Sequence, residues 1–356
     1  MTTINIAVFG IGNVGATLIN QIHELNQKLR KEQQLNLRIR SIANSTSAHF
    51  TDAISKNWQT DFTTSAVPYN ITDIIAYFKA ENLEHVVAID ATASASFVAQ
   101  YKQLIENGCH IISANKIANT LNHQFYQDLR LTLKKNKKKF LYETNVGAGL
   151  PVIDTIKNLY RSGDNIIKIR GVFSGSLSYI FNTFSKETLA FNEVLNSATK
   201  KGFTEPDPRE DLSGKDVARK LLILARELGI QTELNNVAIE SLVPEHLSCN
   251  TTLSEFQARN SELNSIFEQH KKSQNPESVL RYIGELDTKH NTLEVKLIST
   301  SKSSALGQLK GSDTLFEIFT EEYNEQPLVI QGAGAGKAVT ARGVLSDILK
   351  LAVNLN

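Results

Sequence analysis

The run Glu205-Pro206-Asp207-Pro208-Arg209-Glu210-Asp211 packs four carboxylates into seven residues, on a loop stiffened by two prolines. Such density is costly by self-repulsion unless cations, hydrogen-bond donors or an ammonium-bearing ligand offset it. Just downstream, Ser213-Gly214-Lys215-Asp216 looks like an N-cap followed three residues later by a carboxylate, and Val217, Leu221, Leu224 and Leu228 form an apolar stripe along the helix it predicts. Asp216 and Lys220 stand four residues apart and therefore share a face of that helix. They read either as an ordinary ion pair or as the proton-handling end of a site for a cationic substrate, and spacing alone leaves both open.

A second chemistry-bearing stretch is Gly10-Ile11-Gly12-Asn13-Val14-Gly15, which fits G-x-G-x-x-G. It follows an apolar run over residues 4–9 and opens a segment with helical spacing at Ala16, Leu18, Ile19, Ile22 and Leu25. In that context the glycines permit a tight turn whose helix N-terminal amides can hold a pyrophosphate. The predicted ligand is a dinucleotide; the other reading is a turn that needs glycine for packing alone. The next strand, residues 37–43, ends at Asn44 with Ser45 and Thr46, where NAD enzymes usually place a ribose-binding carboxylate. Its absence permits the 2′-phosphate of NADP, yet no Lys or Arg stands there to demand it, and Arg38 and Arg40 lie inside the strand. Both NAD and NADP remain open.

Glu143-Thr144-Asn145-Val146-Gly147-Ala148-Gly149-Leu150-Pro151 ends another strand, residues 140–142, in a glycine-interrupted turn. Carbonyls and one carboxylate suit a hard cation, and a plain connecting turn fits equally well.

The elements that must position these residues alternate. Apolar runs at 85–89, ending in Asp90-Ala91-Thr92-Ala93-Ser94, and at 109–113, ending in Ala114-Asn115-Lys116, each follow a helical pattern, while 27–34 is almost wholly polar. This alternation predicts an α/β fold, a Rossmann-type doubly wound parallel sheet covered by helices. The lysine-rich run 134–139 reads as a solvated C-terminal helical turn rather than a phosphate patch. After Pro151 the texture becomes α+β: a strand at 166–173 followed by Ser174-Gly175-Ser176-Leu177-Ser178-Tyr179, half-exposed antiparallel strands at 279–286 and 292–299, and a polar surface excursion at 262–277. The run 328–331, the glycine turn ending at Gly336 and an apolar helix through Val344, Ile348 and Leu351 return to the first domain. The expected organisation is a dinucleotide-binding domain at 1–150 and 328–356, with an inserted substrate and dimerisation domain at 151–327.

Composition agrees. The 356 residues are 41% hydrophobic, 7% aromatic and 21% charged, which excludes a disordered chain, and 38 basic against 37 acidic residues leave a net charge of +1. That balance disfavours nucleic acid and anionic membranes as partners and leaves a small molecule. Two cysteines, Cys109 and Cys249, are too few for a disulfide framework, and neither a leader sequence nor a membrane-length apolar run is present, so a soluble cytoplasmic protein is expected.

Together these segments resemble homoserine dehydrogenase, in its free-standing form without an aspartokinase module. Residues 202–220 look like the family signature almost throughout, and 114–120, 143–151 and 173–180 are similarly close. The resemblance implies reversible NAD(P)-dependent reduction of L-aspartate 4-semialdehyde to L-homoserine, in threonine and methionine biosynthesis. It makes Lys220 the acid/base and Lys116 a second cation near the reacting oxygen; two ammonium groups in one cleft disfavour each other's charge and so release a proton more readily. Glu205, Asp211 and Asp216 would bind substrate or orient the lysines. The dinucleotide would be held by Gly10, Ile11, Gly12, Asn13, Val14, Gly15, Asn44, Thr92, Ser94, Lys116, Gly202, Glu205 and Gly336. A monovalent cation, sodium, would sit on Glu143 and the carbonyls of Val146, Ala148 and Leu150, and the enzyme would be a homodimer. Thr46 departs from the basic residue that NADP-preferring relatives often carry. Two other readings are an aldehyde dehydrogenase acting on an acyl phosphate, which needs a thiolate at Cys109 or Cys249, and a catalytically inactive dinucleotide sensor, which would have no need of Lys116, Lys220 and Asp216.

Overall fold

The computed structural model describes residues 1–248, 250–353 and 355, so Cys249 lies outside the described residues. Two compact units emerge: Met1–Gly149 with Gly336–Asn356, and Leu150–Ala335.

The first unit is built on strands Thr2–Phe9 (β1), Leu35–Ala43 (β2), Ser47–Phe50 (β3), Val67–Pro68 (β4), Val86–Asp90 (β5), His110–Ser113 (β6) and Phe140–Leu141 (β7), ordered β4-β3-β2-β1-β5-β6-β7. From β2 to β7 neighbouring strands are parallel, and β3 and β4 extend the β2 edge antiparallel. Ile4, Ile6, Val8, Val87 and Ile89 are all essentially inaccessible, because helices cover both faces and apolar side chains pay off on either side. Strand order reverses between β1 and β5, the switch point beyond which a doubly wound sheet opens a ligand crevice.

The first helix, Asn13–Gln33, does not stop at the polar run. Its last turns expose their polar side chains while Leu29 stays buried, and it ends at left-handed Gln34 (φ 51°). Against it packs the last helix, Lys337–Val353, whose Val344, Leu345, Ile348 and Leu351 share one core with Leu18, Ile19 and Ile22. The lysine-rich run does end a helix, His123–Lys135, with Lys134 and Lys135 in its last turn.

The second unit holds Ile166–Val172 (β8), Ala238–Ile239 (β9), Ser278–Asp287 (β10), Thr292–Ser301 (β11), Asp313–Thr320 (β12) and Leu328–Ala333 (β13), in the order β13-β12-β8-β10-β11-β9. All neighbours are antiparallel except β11 with β9. The chain re-enters the first unit at Gly336 rather than at 328, because residues 328–333 pair with β12 as an edge strand of this second sheet. β10 is not half-exposed as its alternation implies: Gly284 admits the helix Lys215–Glu227, where a Cβ would meet Val217 and Leu221 at 3.0 and 3.1 Å, and Ile283 packs with Leu306 and Leu309 on the opposite face. Nor is 262–277 a mere excursion. Leu263 and Phe267 anchor the helix Leu263–Ser273, and Phe267 stacks on Phe191 with ring centroids 3.8 Å apart. Among the described residues no helix is long and apolar enough to cross a membrane.

Candidate active site

In the first unit a cleft of about 1090 Å³ opens beyond the ends of β1, β2 and β5. Its walls include Gly10, Ile11, Gly12, Asn44, Thr92 and Ser94, so six positions that the sequence assigns to a dinucleotide share one cavity. Gly10 (φ +89°) and Gly15 are required by packing: a Cβ on the first would lie 2.8 Å from the Ala91 carbonyl, and on the second 1.9 Å from the Gly10 oxygen. Around Gly12 nothing lies within 4 Å, so its bareness leaves the helix N-terminus open to an approaching ligand. Asn13, Val14 and Gly15 form the first turn of the helix behind it.

Asn44, which the sequence expects at the ribose, turns inward on its own loop, its Oδ1 accepting from Thr46 N at 2.9 Å and Ser47 N at 2.7 Å. The opposite wall, Tyr69 to Asp73, starts the helix Ile71–Ala80, and there Asn70 and Asp73 form a capping box. Composition gave no sign that this segment would line the cleft.

Lys116 caps a short helix, Ile117–Thr120, on the turn after β6. Neighbouring Asn115 is 3% exposed and donates to Asp90 Oδ2 at 3.0 Å and to the Ser94 carbonyl at 3.1 Å. Asp90 was not singled out in sequence, although a charge closing an apolar strand was the visible signal. Burial pushes its carboxyl above the ordinary value, and bonds from Thr92, Tyr101 and Asn115 pull back. Further along, Gly147 (φ 80°) and Ala148 (φ 53°) form a left-handed turn beside Glu143. Glu143 and Asp347, both nearly excluded from water, share the Lys350 ammonium at 3.5 and 3.4 Å. Gly336 (φ +124°) precedes the last helix.

In the second unit Lys220 is 8% exposed; its Nζ donates to the Phe173 carbonyl at 2.8 Å and lies 2.8 Å from Asp216 Oδ2. The ion pair read from spacing is therefore present, and on Lys220's side it is buried. The expected capping box is not. The helix starts at Lys215 after left-handed Gly214 (φ +71°), where a Cβ would lie 2.2 Å from the Tyr282 hydroxyl; Ser213 Oγ accepts from Lys215 N instead, and Asp216 is turned to Lys220.

The acidic run divides by role. Asp211 accepts from Ser176 Oγ at 2.6 Å and from Glu205 N at 2.8 Å, and burial raises its carboxyl above the usual range. Asp207, in contrast, is committed to Arg209, which holds its carboxyl low and reaches on to the Ser248 and Thr251 carbonyls. Glu205 and Glu210 are exposed. Gly202 (φ +71°) follows the helix Phe191–Lys200, and a Cβ there would meet nothing within 4 Å. Cys109 is buried, and burial drives its thiol up to about 12, away from the thiolate that acyl-phosphate chemistry needs.

Comparison with known proteins follows the same division. The sequence model "Homoserine dehydrogenase, NAD binding domain" matches residues 10–143, and "Homoserine dehydrogenase" matches 151–349. A bifunctional aspartokinase/homoserine dehydrogenase of Buchnera aphidicola is 39% identical over 98% of the chain, which spans only 43% of that protein. The homoserine dehydrogenase of Schizosaccharomyces pombe is 36% identical, over 98% of this chain and 96% of its own length. Among solved structures, a Candida auris protein of unknown function superposes with TM-score 0.90 at 34% identity, covering 99% of both chains. A hyperthermophilic archaeal homoserine dehydrogenase solved with NADPH shares the fold, with TM-score 0.74 at 22% identity over 99% of this chain and 98% of its own.

Proposed function

The chain belongs to the homoserine dehydrogenase family, and from that premise we propose that it interconverts L-aspartate 4-semialdehyde and L-homoserine with NAD or NADP. The observation that carries this reading is Lys220, a nearly buried ammonium held between Asp216 and the Phe173 carbonyl. When bound, the nicotinamide supplies or takes up the hydride. The Gly10–Gly15 turn, Thr92 and Ser94 hold the dinucleotide. Lys220 Nζ gives a proton to the alcohol oxygen in reduction and recovers it in oxidation, while Asp216 keeps the amine oriented. Lys116 adds positive charge to stabilise the developing alkoxide. Asp211 and Glu205 take the substrate's ammonium, for which a carboxylate already tied to Ser176 is well prepared.

Glu143, nearly excluded from water, and the carbonyls of Val146, Ala148 and Leu150 are a set of hard oxygen donors of the kind a monovalent cation takes. We include sodium there, in a structural role. A homodimer and a cytoplasmic, reducing setting belong to the same proposal; the partly exposed edge strand β13, with Val329 at 42% exposure, supports the first.

Mixing the protein with homoserine and NAD or NADP at alkaline pH, and following the absorbance of the reduced nicotinamide, tests the reading. Turnover with at least one cofactor is expected, and none with either would overturn it. Lys220→Ala should lower turnover about 100-fold or more with dinucleotide affinity nearly unchanged; wild-type turnover in that variant would remove Lys220 from its role.

A further inference from the structure

Asp90, the last residue of β5, is 1% exposed and bonded only to neutral donors in the contacts described: Thr92 N to Oδ1 at 2.8 Å, and Tyr101 Oη and Asn115 Nδ2 to Oδ2 at 2.7 and 3.0 Å. Keeping a carboxylate in such a place costs several kcal/mol unless its bonds are strong and well aimed. Those bonds reach two loops. One carries Thr92 and Ser94, which line the dinucleotide cleft. The other carries Asn115 and Lys116, and Asn115 is fixed from every side: its Nδ2 also donates to the Ser94 carbonyl, its Oδ1 accepts from Ile117 N at 3.0 Å, and Ser113 Oγ bonds both its N and its O at 3.0 Å. On the far side of the short helix, Asn119 donates to Asn145 Oδ1 at 2.9 Å, and Asn145 donates to the Ser113 carbonyl at 2.8 Å.

We infer that Asp90 is a positioning residue which, through Asn115, locks the Lys116 turn to the Thr92–Ser94 turn and so sets Lys116 relative to the bound dinucleotide. This rests on the proposed reaction. A turn held only for folding would need an acceptor at position 90; a turn held for catalysis needs its geometry fixed to a fraction of an ångström, since a displacement of about 1 Å can cost about 100-fold in rate. A charge-assisted acceptor on three donors supplies that rigidity.

Asp90→Asn puts an amide donor opposite a donor, whereas Asn115→Ala removes the link itself and leaves Asp90 in place. In homoserine oxidation each should lower kcat about tenfold or more, with homoserine KM within about twofold, and the double variant should lose little more than either alone, since both act through one link. Tyr101→Phe, which leaves Asp90 and Ser113 one bond short, should lower kcat about threefold and the melting temperature by a few degrees, and it carries the test should Asp90→Asn fail to fold. Wild-type kcat in Asp90→Asn, or in Tyr101→Phe where that variant carries the test, overturns the inference. So do losses that multiply in the double variant. Should the wild-type chain not oxidise homoserine at all, the proposed reaction falls, and affinity for reduced dinucleotide by fluorescence titration decides the positioning role. A loss of about tenfold in Asp90→Asn that Asn115→Ala does not deepen supports it, and unchanged affinity overturns it.

Discussion

Gly10, Gly12 and Gly15 are one residue type put to two uses. A side chain at Gly10 or Gly15 collides with backbone, whereas at Gly12 it meets open space. Gly15→Ala should therefore destabilise the protein by about 1–3 kcal/mol, read from urea unfolding. Gly12→Ala should leave unfolding unchanged and weaken dinucleotide binding about tenfold or more, read by titration. If both variants bound the dinucleotide normally, the cleft would not be its site. The glycine turn and the Asp216–Lys220 pair were legible in sequence because a fixed local spacing defines each of them. The acidic run was legible only as a crowd: that Asp207 is committed to Arg209, while Asp211 is kept for Ser176 and the Glu205 amide, depends on partners up to 42 residues away that spacing does not specify. Asp90 was illegible as a positioning residue for the same reason, since Asn115 comes from the turn after the next strand, 25 residues on.

Elements with a strong local pattern were readable, as β1, β5 and β6 show. β12 was not picked out, although it lies between β8 and β13, because its run Thr314-Leu315-Phe316-Glu317-Ile318-Phe319 mixes charge into a buried strand, and Glu317 is satisfied by Arg170 from β8. The helix at 263–273 was hidden because only Leu263 and Phe267 face inward. β6 also carries a pH dependence. His110 is 4% exposed, its Nδ1 accepts from Lys139 N at 3.1 Å, and burial first, then Lys138, His85 and Lys139, hold its imidazole down to about 4. An unfolded histidine binds its proton near 6.5. Above that pH neither state is charged there, and between about 6.5 and 4 only the unfolded chain takes the proton, so stability is lost as pH falls through that window. Urea midpoints at pH 7 and pH 5 should show the loss in the wild type and a flatter dependence in His110→Asn. An equal slope in both would remove His110 as its source.

At the scale of the whole molecule the first unit is discontinuous, and its last helix shares a core with its first. A Cβ on Gly149 would lie 2.6 Å from the Val339 carbonyl, so the two ends of the excised insert stand close together on the first unit. Joining Gly149 to Gly336 through a flexible linker of about five residues should give a folded protein that binds dinucleotide, and a protein ending at Ala335 should not bind it. Light scattering should find the joined unit monomeric and the full chain dimeric; a dimeric joined unit would move the interface off the second sheet. Chain order also imposes an order of assembly. At about 5–20 residues per second, a ribosome needs roughly 10 to 40 s to add the stretch between Gly149 and the last helix. During that interval the nascent first unit presents the apolar surface that Val344, Ile348 and Leu351 later cover, while the second unit, uninterrupted in sequence, already has what it needs to close. The half of the protein made first is thus the half finished last, and its dependence on chaperones during synthesis should be concentrated there.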